Sequence, residues 1–387
     1  MNQRDRTYYI DWIRIGVVLL LVWFHSAITF TIQGVMPIKY TQHVPILDVF
    51  MWFLSLWIMP ILFLISGMSS YYSLQKRTSK EYMRERRNKL LIPFLAGFLL
   101  ICPAISYFRA LFIGSFSDNF LQFYPHFFDK AYPQGNLGWW HFWFLIYLFV
   151  FTLILRPVFA RMNKENLRAR IIKISAHFEK GLWIYLLPIP LMVTEMVLRP
   201  LFPGDQNLIW DWANFTFYFL LVFFGFVFAM NEKILDNIQR IRVFSLVIGV
   251  TLFATSVVWV MTSAGGSLSR ISHPNISLPP AVWAYNTLMI FALIFAILGY
   301  AKAFLNMKNR LYSYLNNATF PFYAFHYLPI TILAFFIAKE SVNVWVKYLI
   351  IVFGTYLATF ALYEIIKRIP FLRFLFGIKF AGVKYKV

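Results

Sequence analysis

The apolar residues of this chain gather into runs about 20 residues long, the length an α-helix needs to cross about 30 Å of hydrocarbon. In that solvent every backbone N–H and C=O must be satisfied within its own segment, so runs of this length are restricted to helices. Hydropathy gives ten candidate spans, at residues 10–33, 48–73, 90–112, 139–160, 181–199, 211–230, 243–263, 281–304, 317–338 and 344–366. Composition agrees: of 387 residues, 60% are apolar, 20% aromatic and only 13% charged, against roughly 25% charged in ordinary soluble domains. A soluble globule is excluded. The expected fold is all-α, a polytopic transmembrane helical bundle.

The charge balance sets the expected topology. Lys and Arg number 36 against 16 Asp and Glu, an excess that in a soluble protein would suggest nucleic acid. Here the positive-inside rule is the simpler account, and no nucleic-acid partner is expected. With the N-terminus inside, the tail to Tyr9, the connections 74–90, 156–180, 231–243 and 302–312, and the tail from Lys367 hold 28 Lys or Arg. The opposite side holds 7, namely Lys39, Arg109, Lys130, Arg199, Arg270, Lys339 and Lys347, and Arg14 lies within the first span. Both termini are therefore expected in the cytoplasm, with the protein multi-pass in the cell (inner) membrane. Asp11, Arg14 and His25 would interrupt the apolar region of a signal peptide, so the first helix reads as uncleaved. No Gly/Ser linker or repeat divides the chain, and the outer loops 113–138 and 264–280 are too short to fold alone, so 1–387 reads as a single membrane domain. The one cysteine, Cys102, leaves no intramolecular disulfide and no cysteine-based metal site. Neither a metal nor a permanently bound cofactor is expected.

Ionisable side chains within a span cost about 2.5 to 3.5 kcal/mol each and so face a protein interior or a wet cavity. Arg14 and His25 are eleven residues apart, three helical turns plus about 20°, which puts them on one face about 16 Å apart. From a cytoplasmic start near Ile10, Arg14 lies one turn in, and His25 lies about 22 Å along, beyond the midplane. The face thus offers a cation near the inside and an acid/base group deeper. A blander account pairs Arg14 with Asp11 at i−3 and gives His25 only an interhelical hydrogen bond. His326 lies about 14 Å into the ninth span, near mid-membrane, between Tyr323 and Tyr327. It is either part of a proton relay or a structural hydrogen-bonding group. His141 falls among Trp139, Trp140 and Trp143 at an outer interface, where the rings either stack on sugar faces or form the aromatic belt expected at that depth. Glu195 and Arg199 are spaced to pair at i, i+4, and Ser66 and Gly67 are expected to let helices approach closely.

Several stretches resemble one family. Arg14, ten intervening residues and His25 match the R-X10-H motif of acyltransferase family 3, within IDWIRIGVVLLLVWFH. MPILFLISGMSSYYS (59–73), the basic run and proline of YMRERRNKLLIPFL (82–95), GWWHFWFLIYLF (138–149) and ATFPFYAFHYLP (318–329) are similar to further family signatures, in family order. Ile15 replaces the usual Gly after the first-helix Arg and Phe142 a common Leu; neither change touches an ionisable group. The pattern is most similar to the branch containing the glucan-biosynthesis succinyltransferase. The resemblance implies O-acyl transfer from cytoplasmic acyl-CoA to a hydroxyl of a glycan or lipid-linked sugar at the outer face, with the acyl group, acetyl or succinyl, left open. The geometry agrees with it: His25, with His326 at a similar depth, would be catalytic, and Arg14, Arg84, Arg86, Arg87 and Lys89 would form a basic mouth for the CoA phosphates. Trp139, Trp140, His141 and Trp143 would take the acceptor. Residue by residue, the 84–89 cations are also what positive-inside topology and anionic membrane lipids require. Two other classes stay open, a secondary transporter, although no half-to-half symmetry relates 10–160 to 181–366, and a flippase or assembly partner in a polysaccharide system.

Overall fold

The computed structural model describes residues 7–32, 34–202, 204, 206–263 and 279–378. Arg4, Arg6, Arg270, Lys379, Lys384 and Lys386, all counted in the charge split, lie outside the described residues, as does most of the expected loop 264–280. The described residues form helices and no strand, with one isolated bridge between Ala131 and Leu137. The helices are α1 (Tyr8–Ile28), α2 (Pro45–Leu74), α3 (Ser79–Arg86), α4 (Ile92–Leu100), α5 (Cys102–Phe112), α6 (Phe120–His126), α7 (Trp143–Met162), α8 (Glu165–Ser175) and α9 (Ile189–Leu198). They continue with α10 (Trp212–Met230), α11 (Glu232–Arg240), α12 (Arg242–Ser263), α13 (Pro280–Phe304), α14 (Arg310–Phe325), α15 (Tyr327–Ile337), α16 (Val344–Ile366) and α17 (Pro370–Leu375). Among the described residues nine helical segments are long and apolar enough to cross a membrane, and α14 with α15, bent by 52°, counts as a tenth. The expected polytopic all-α fold is the one observed.

Two spans depart from the expected straight helices for reasons legible in their prolines. The third begins at Ser79, eleven residues before the expected boundary, because Thr78 and Glu81 form a capping box: Glu81 Oε2 accepts from the Thr78 N–H at 2.8 Å and Thr78 Oγ1 accepts from the Glu81 N–H at 3.3 Å. The basic run is therefore helical rather than loop. A π turn at Arg87–Leu91, in which Ile92 N–H reaches back to Arg87 O, then widens the helix just before Pro93, whose ring would otherwise meet the carbonyl four residues earlier. In the ninth span Pro329 has no N–H for the carbonyl of Phe325 and crowds it, and the helix breaks there, leaving His326 between α14 and α15.

The chain divides into two compact units. The first comprises the described residues of Met1–Val17, Trp52–Arg84 and Tyr147–Lys308. Its centre is the crossing of α2 and α10, where a Cβ on Gly67 would collide with the Val222 carbonyl and one on Gly225 with that of Leu64. Gly67 thus permits the close approach expected of it, with Gly225 as its counterpart. Phe159 stacks on Phe226 at 3.8 Å beside this crossing. Arg199 Nε donates to Glu195 Oε2 at 2.9 Å, the pair expected from their spacing, and its Nη2 also donates to Asn214 Oδ1 at 2.8 Å.

The second unit comprises the described residues of Val18–Met51, Glu85–Ile146 and Asn309–Val387. Here α15 packs against α5 and α16. Tyr356 and Tyr348 of α16 donate their hydroxyls to the α1 carbonyls of Leu19, at 2.8 Å, and Trp23, at 3.2 Å, which fixes the C-terminal half of α1. The end of α1 is tied down again by Lys39, whose Nζ donates to Ile28 O at 3.0 Å and Thr31 O at 2.5 Å. Lysine there meets orphan carbonyls at the negative pole of the helix.

Candidate active site

His25 occupies the last turn of α1 and His326 the break between α14 and α15, and their facing nitrogens, His25 Nδ1 and His326 Nε2, are 2.9 Å apart. The ring centroids lie 5.1 Å apart with planes only 25° from parallel, the arrangement of a hydrogen bond made nearly in the plane of both rings. His326 is fully buried, whereas His25 keeps part of its surface.

The partners assign the tautomers. His326 Nδ1 faces the carbonyl oxygen of Tyr323 at 2.8 Å, and a carbonyl only accepts, so Nδ1 carries the proton. His326 Nε2 is then an acceptor, and His25 Nδ1 must donate to it. In a neutral imidazole that leaves His25 Nε2 unprotonated. The chain of bonds therefore presents a basic nitrogen at one end and anchors the other in backbone. The helix break supplies the geometry, since it places the His326 side chain against the last turn of its own preceding helix.

His141 joins this cluster. It lies in a short 3-10 turn, Trp140–Phe142, ahead of α7, and is almost fully buried. Its Nε2 donates to Ala324 O at 3.1 Å, while Nδ1 is buried with no hydrogen-bond partner among the described residues. The His141 ring stacks on Tyr327 at 5.0 Å and stands 5.1 Å from His326; Tyr327 in turn lies 4.9 Å from His25. Tyr323 closes the group by donating its hydroxyl to His141 O at 2.5 Å. His141, expected among acceptor-binding aromatics, is thus brought against His326 and against Tyr327, the ring that also meets His25. Of its neighbours, Trp143 is buried, Trp139 packs edge-on against Phe94 at 6.2 Å, and Trp140 stays half-buried. The lead-in turn, which swings His141 off the face it would have on a regular helix, is what periodicity alone does not reveal.

The expected donor-binding residues are placed in both units. In the first, Arg14 donates from Nη1 to Asp11 Oδ1 at 2.8 Å and from Nη2 to Ser69 Oγ at 3.0 Å, so the i−3 partner anticipated for it is present. The Arg14 side chain keeps 32% of its surface exposed, enough to meet a further anion. Arg84 is exposed on α3. In the second unit Lys89 Nζ pairs with Glu85 Oε1 at 2.5 Å, Arg87 Nε donates to Asn88 Oδ1 at 3.2 Å, and Arg86 is half-buried. α1 is unbroken from Arg14 to His25. Among the described residues no group of three or more His, Cys, Asp or Glu side chains has the arrangement to hold a metal.

Known proteins place this geometry in context. The chain is similar over 96% of its length to Glucans biosynthesis protein C of Escherichia coli O139:H28, at 23% identity and covering 94% of that protein. The same identity and coverage hold for the Glucans biosynthesis proteins C of Escherichia coli O157:H7 and O1:K1. No solved structure matches. The model of a family described as an acyltransferase domain matches residues 7–364, all but the ends of the chain. This membrane protein accordingly belongs to acyltransferase family 3.

Proposed function

We propose that the protein transfers an acyl group from cytoplasmic acyl-CoA to a hydroxyl of a glycan or lipid-linked saccharide at the outer face of the cell membrane. The whole chain would work as one membrane domain, without a permanently bound cofactor. The observation that carries the reading is the directed chain from His25 through His326 to the Tyr323 carbonyl, which leaves His25 Nε2 as a partly accessible base. In the reaction Nε2 takes the proton of the acceptor hydroxyl as its oxygen attacks the thioester carbonyl. The C–O bond forms, the C–S bond breaks, and the departing thiolate recovers the proton from the His25 imidazolium. A positive charge on His25 strengthens its hydrogen bond to the neutral His326 acceptor, so His326 stabilises the protonated state and fixes the useful tautomer. The same Nε2 is the atom that would accept the acyl group if transfer proceeds in two steps.

On the donor side, Arg14 and the 84–89 cations would receive the CoA phosphates, for which a planar guanidinium fork is well suited. The relatives' name, Glucans biosynthesis protein C, supports a glycan acceptor, and the 28 to 7 split of basic residues supports a cytoplasmic donor. Both points are tested together in sealed, uniformly oriented proteoliposomes. Labelled acyl-CoA supplied on the face bearing the 74–90 loop should acylate a saccharide on the opposite face. A folded His25→Ala protein should lose this by a factor of about 10²–10⁴, the weight of general-base catalysis. Near-normal transfer by His25→Ala, or product formed with both substrates confined to one face, contradicts the proposal. A transporter or flippase would move its cargo and leave the label on CoA.

A further inference from the structure

We propose that Arg109 is the anion-binding end of an acceptor subsite, and that the acceptor is an oligosaccharide bearing a carboxylate or phosphate several ring lengths from the hydroxyl that is acylated. The inference deepens the functional reading above and rests on it. Within the second unit an unbroken series of rings leads away from His25. Tyr327 lies 4.9 Å from His25, Trp140 6.3 Å from Tyr327, and Tyr132 5.4 Å from Trp140, all between ring centroids. The guanidinium carbon of Arg109 sits 5.1 Å from the centroid of Tyr132.

The path is built rather than incidental. Trp140 holds a φ of 44°, a left-handed backbone rare for a bulky residue and costing about 1–3 kcal/mol. It is kept there by its indole N–H, which donates to Ser106 Oγ at 3.1 Å, while Ser106 donates to Asn136 O at 2.8 Å. The connecting loop is tied to itself, with Tyr132 N–H donating to Leu137 O at 2.9 Å and Leu137 N–H to Lys130 O at 3.0 Å. Both rings so placed keep open surface: Tyr132 is 36% exposed and Trp140 half-buried. Arg109 follows Ser106 by one turn of α5 and so shares the face that tethers Trp140.

Arg109 has no carboxylate partner among the described residues, unlike Arg14, which pairs with Asp11, and Arg199, which pairs with Glu195. Its guanidinium lies over the neutral ring of Tyr132. An aromatic face attracts the cation but uses none of its five N–H donors, which remain for a bidentate oxyanion. Tyr327 is buried under the His141 ring, so the faces along the path that suit the C–H faces of sugar rings are those of Trp140 and Tyr132. Three ring-to-ring steps lie between His25 and Tyr132, so the anion and the reacting hydroxyl must belong to different parts of one extended acceptor. A small anionic molecule would not span them.

The test is calorimetric binding to the full-length protein in nanodiscs of zwitterionic phosphatidylcholine. Two probes of equal length are compared, a neutral gluco-oligosaccharide and one containing glucuronate. The wild-type protein should bind the charged probe about tenfold more tightly, the weight of one charge-assisted contact. Arg109→Gln should bring the ratio of the two affinities to about one, and Arg109→Lys should keep part of the preference. A ratio unchanged in Arg109→Gln overturns the proposal, as does wild-type protein that binds the probes equally or binds neither. If Arg109→Gln alters only the retention of phosphatidylglycerol added to the discs, Arg109 is a lipid contact and the proposal fails. Binding needs no turnover, so a wild-type protein that transfers no label from acyl-CoA would refute the functional reading separately.

Discussion

The role given to His326 makes a quantitative demand. In the resting site it accepts a bond from neutral His25, worth about 0.5–1.5 kcal/mol, and during transfer it accepts from an imidazolium, worth about 1.5–3 kcal/mol. Only the difference, about 1.5 kcal/mol, lowers the barrier, and at 1.36 kcal/mol per factor of ten this is about tenfold in kcat. His326→Ala should therefore slow transfer about tenfold, with a further decrease from loss of tautomer control, and still fall short of the loss in His25→Ala. The substitution also orphans Tyr323 O and leaves a cavity at a fully buried position, a folding cost of several kcal/mol. His326→Gln separates the two effects, because its carbonyl can accept from His25 while its amide donates to Tyr323 O. We expect His326→Gln to keep kcat within about tenfold of wild type and to unfold near the wild-type temperature. Single-turnover acyl transfer in detergent, alongside thermal unfolding, measures both. The reasoning is refuted if a folded His326→Ala keeps kcat within twofold, or if both variants are as inactive as His25→Ala, which would give His326 a chemical step of its own.

Arg14→Lys keeps the charge and loses the planar fork, so acyl-CoA affinity measured by calorimetry should weaken; unchanged affinity in Arg14→Ala would remove Arg14 from the donor site. Burial lowers the Lys39 amine to about 8, against a smaller opposing pull from Asp48. Because the unfolded chain then binds more protons than the native one between about pH 8 and the ordinary lysine value, the stability of wild type relative to Lys39→Met should rise with pH across that window. Thermal unfolding of both proteins from neutral pH upward checks the sign, and a falling difference would contradict it. Gly67→Ala drives a methyl into the Val222 carbonyl and should cost about 1–3 kcal/mol, whereas Gly16→Ala, with nothing within 4 Å of the added carbon, should be neutral or slightly stabilising in the same melts.

The parts of this protein that sequence resolves are those governed by one segment at a time. Run length and charge give the ten spans, because hydrocarbon thickness and backbone satisfaction act on each run alone. Pairing of Glu195 with Arg199 and of Asp11 with Arg14 follows from helical spacing. TSKE before the basic run already spells the capping box that starts α3 early, and the proline three residues after His326 already spells the break in which His326 sits. Those two signals were present and outweighed by hydropathy, which registers where a run is apolar and not how its helix begins or bends.

What the sequence conceals is set by contact between distant segments. The partner of Gly67 is Gly225, more than 150 residues away, and no local pattern links them. The histidine cluster shows the same limit more sharply. Depth counted in residues brings His25 and His326 to similar levels, yet facing nitrogens 2.9 Å apart also require the two helix faces to point at each other. His141 is harder still, since its place depends on Trp140 adopting a positive φ that its own residue type disfavours. That strain persists because Ser106 holds the indole from another helix, so the conformation is a property of the assembled unit. The same tether holds Trp140 between Tyr327 and Tyr132, so the residue that precedes His141 is also the one that joins the ring series leading toward Arg109.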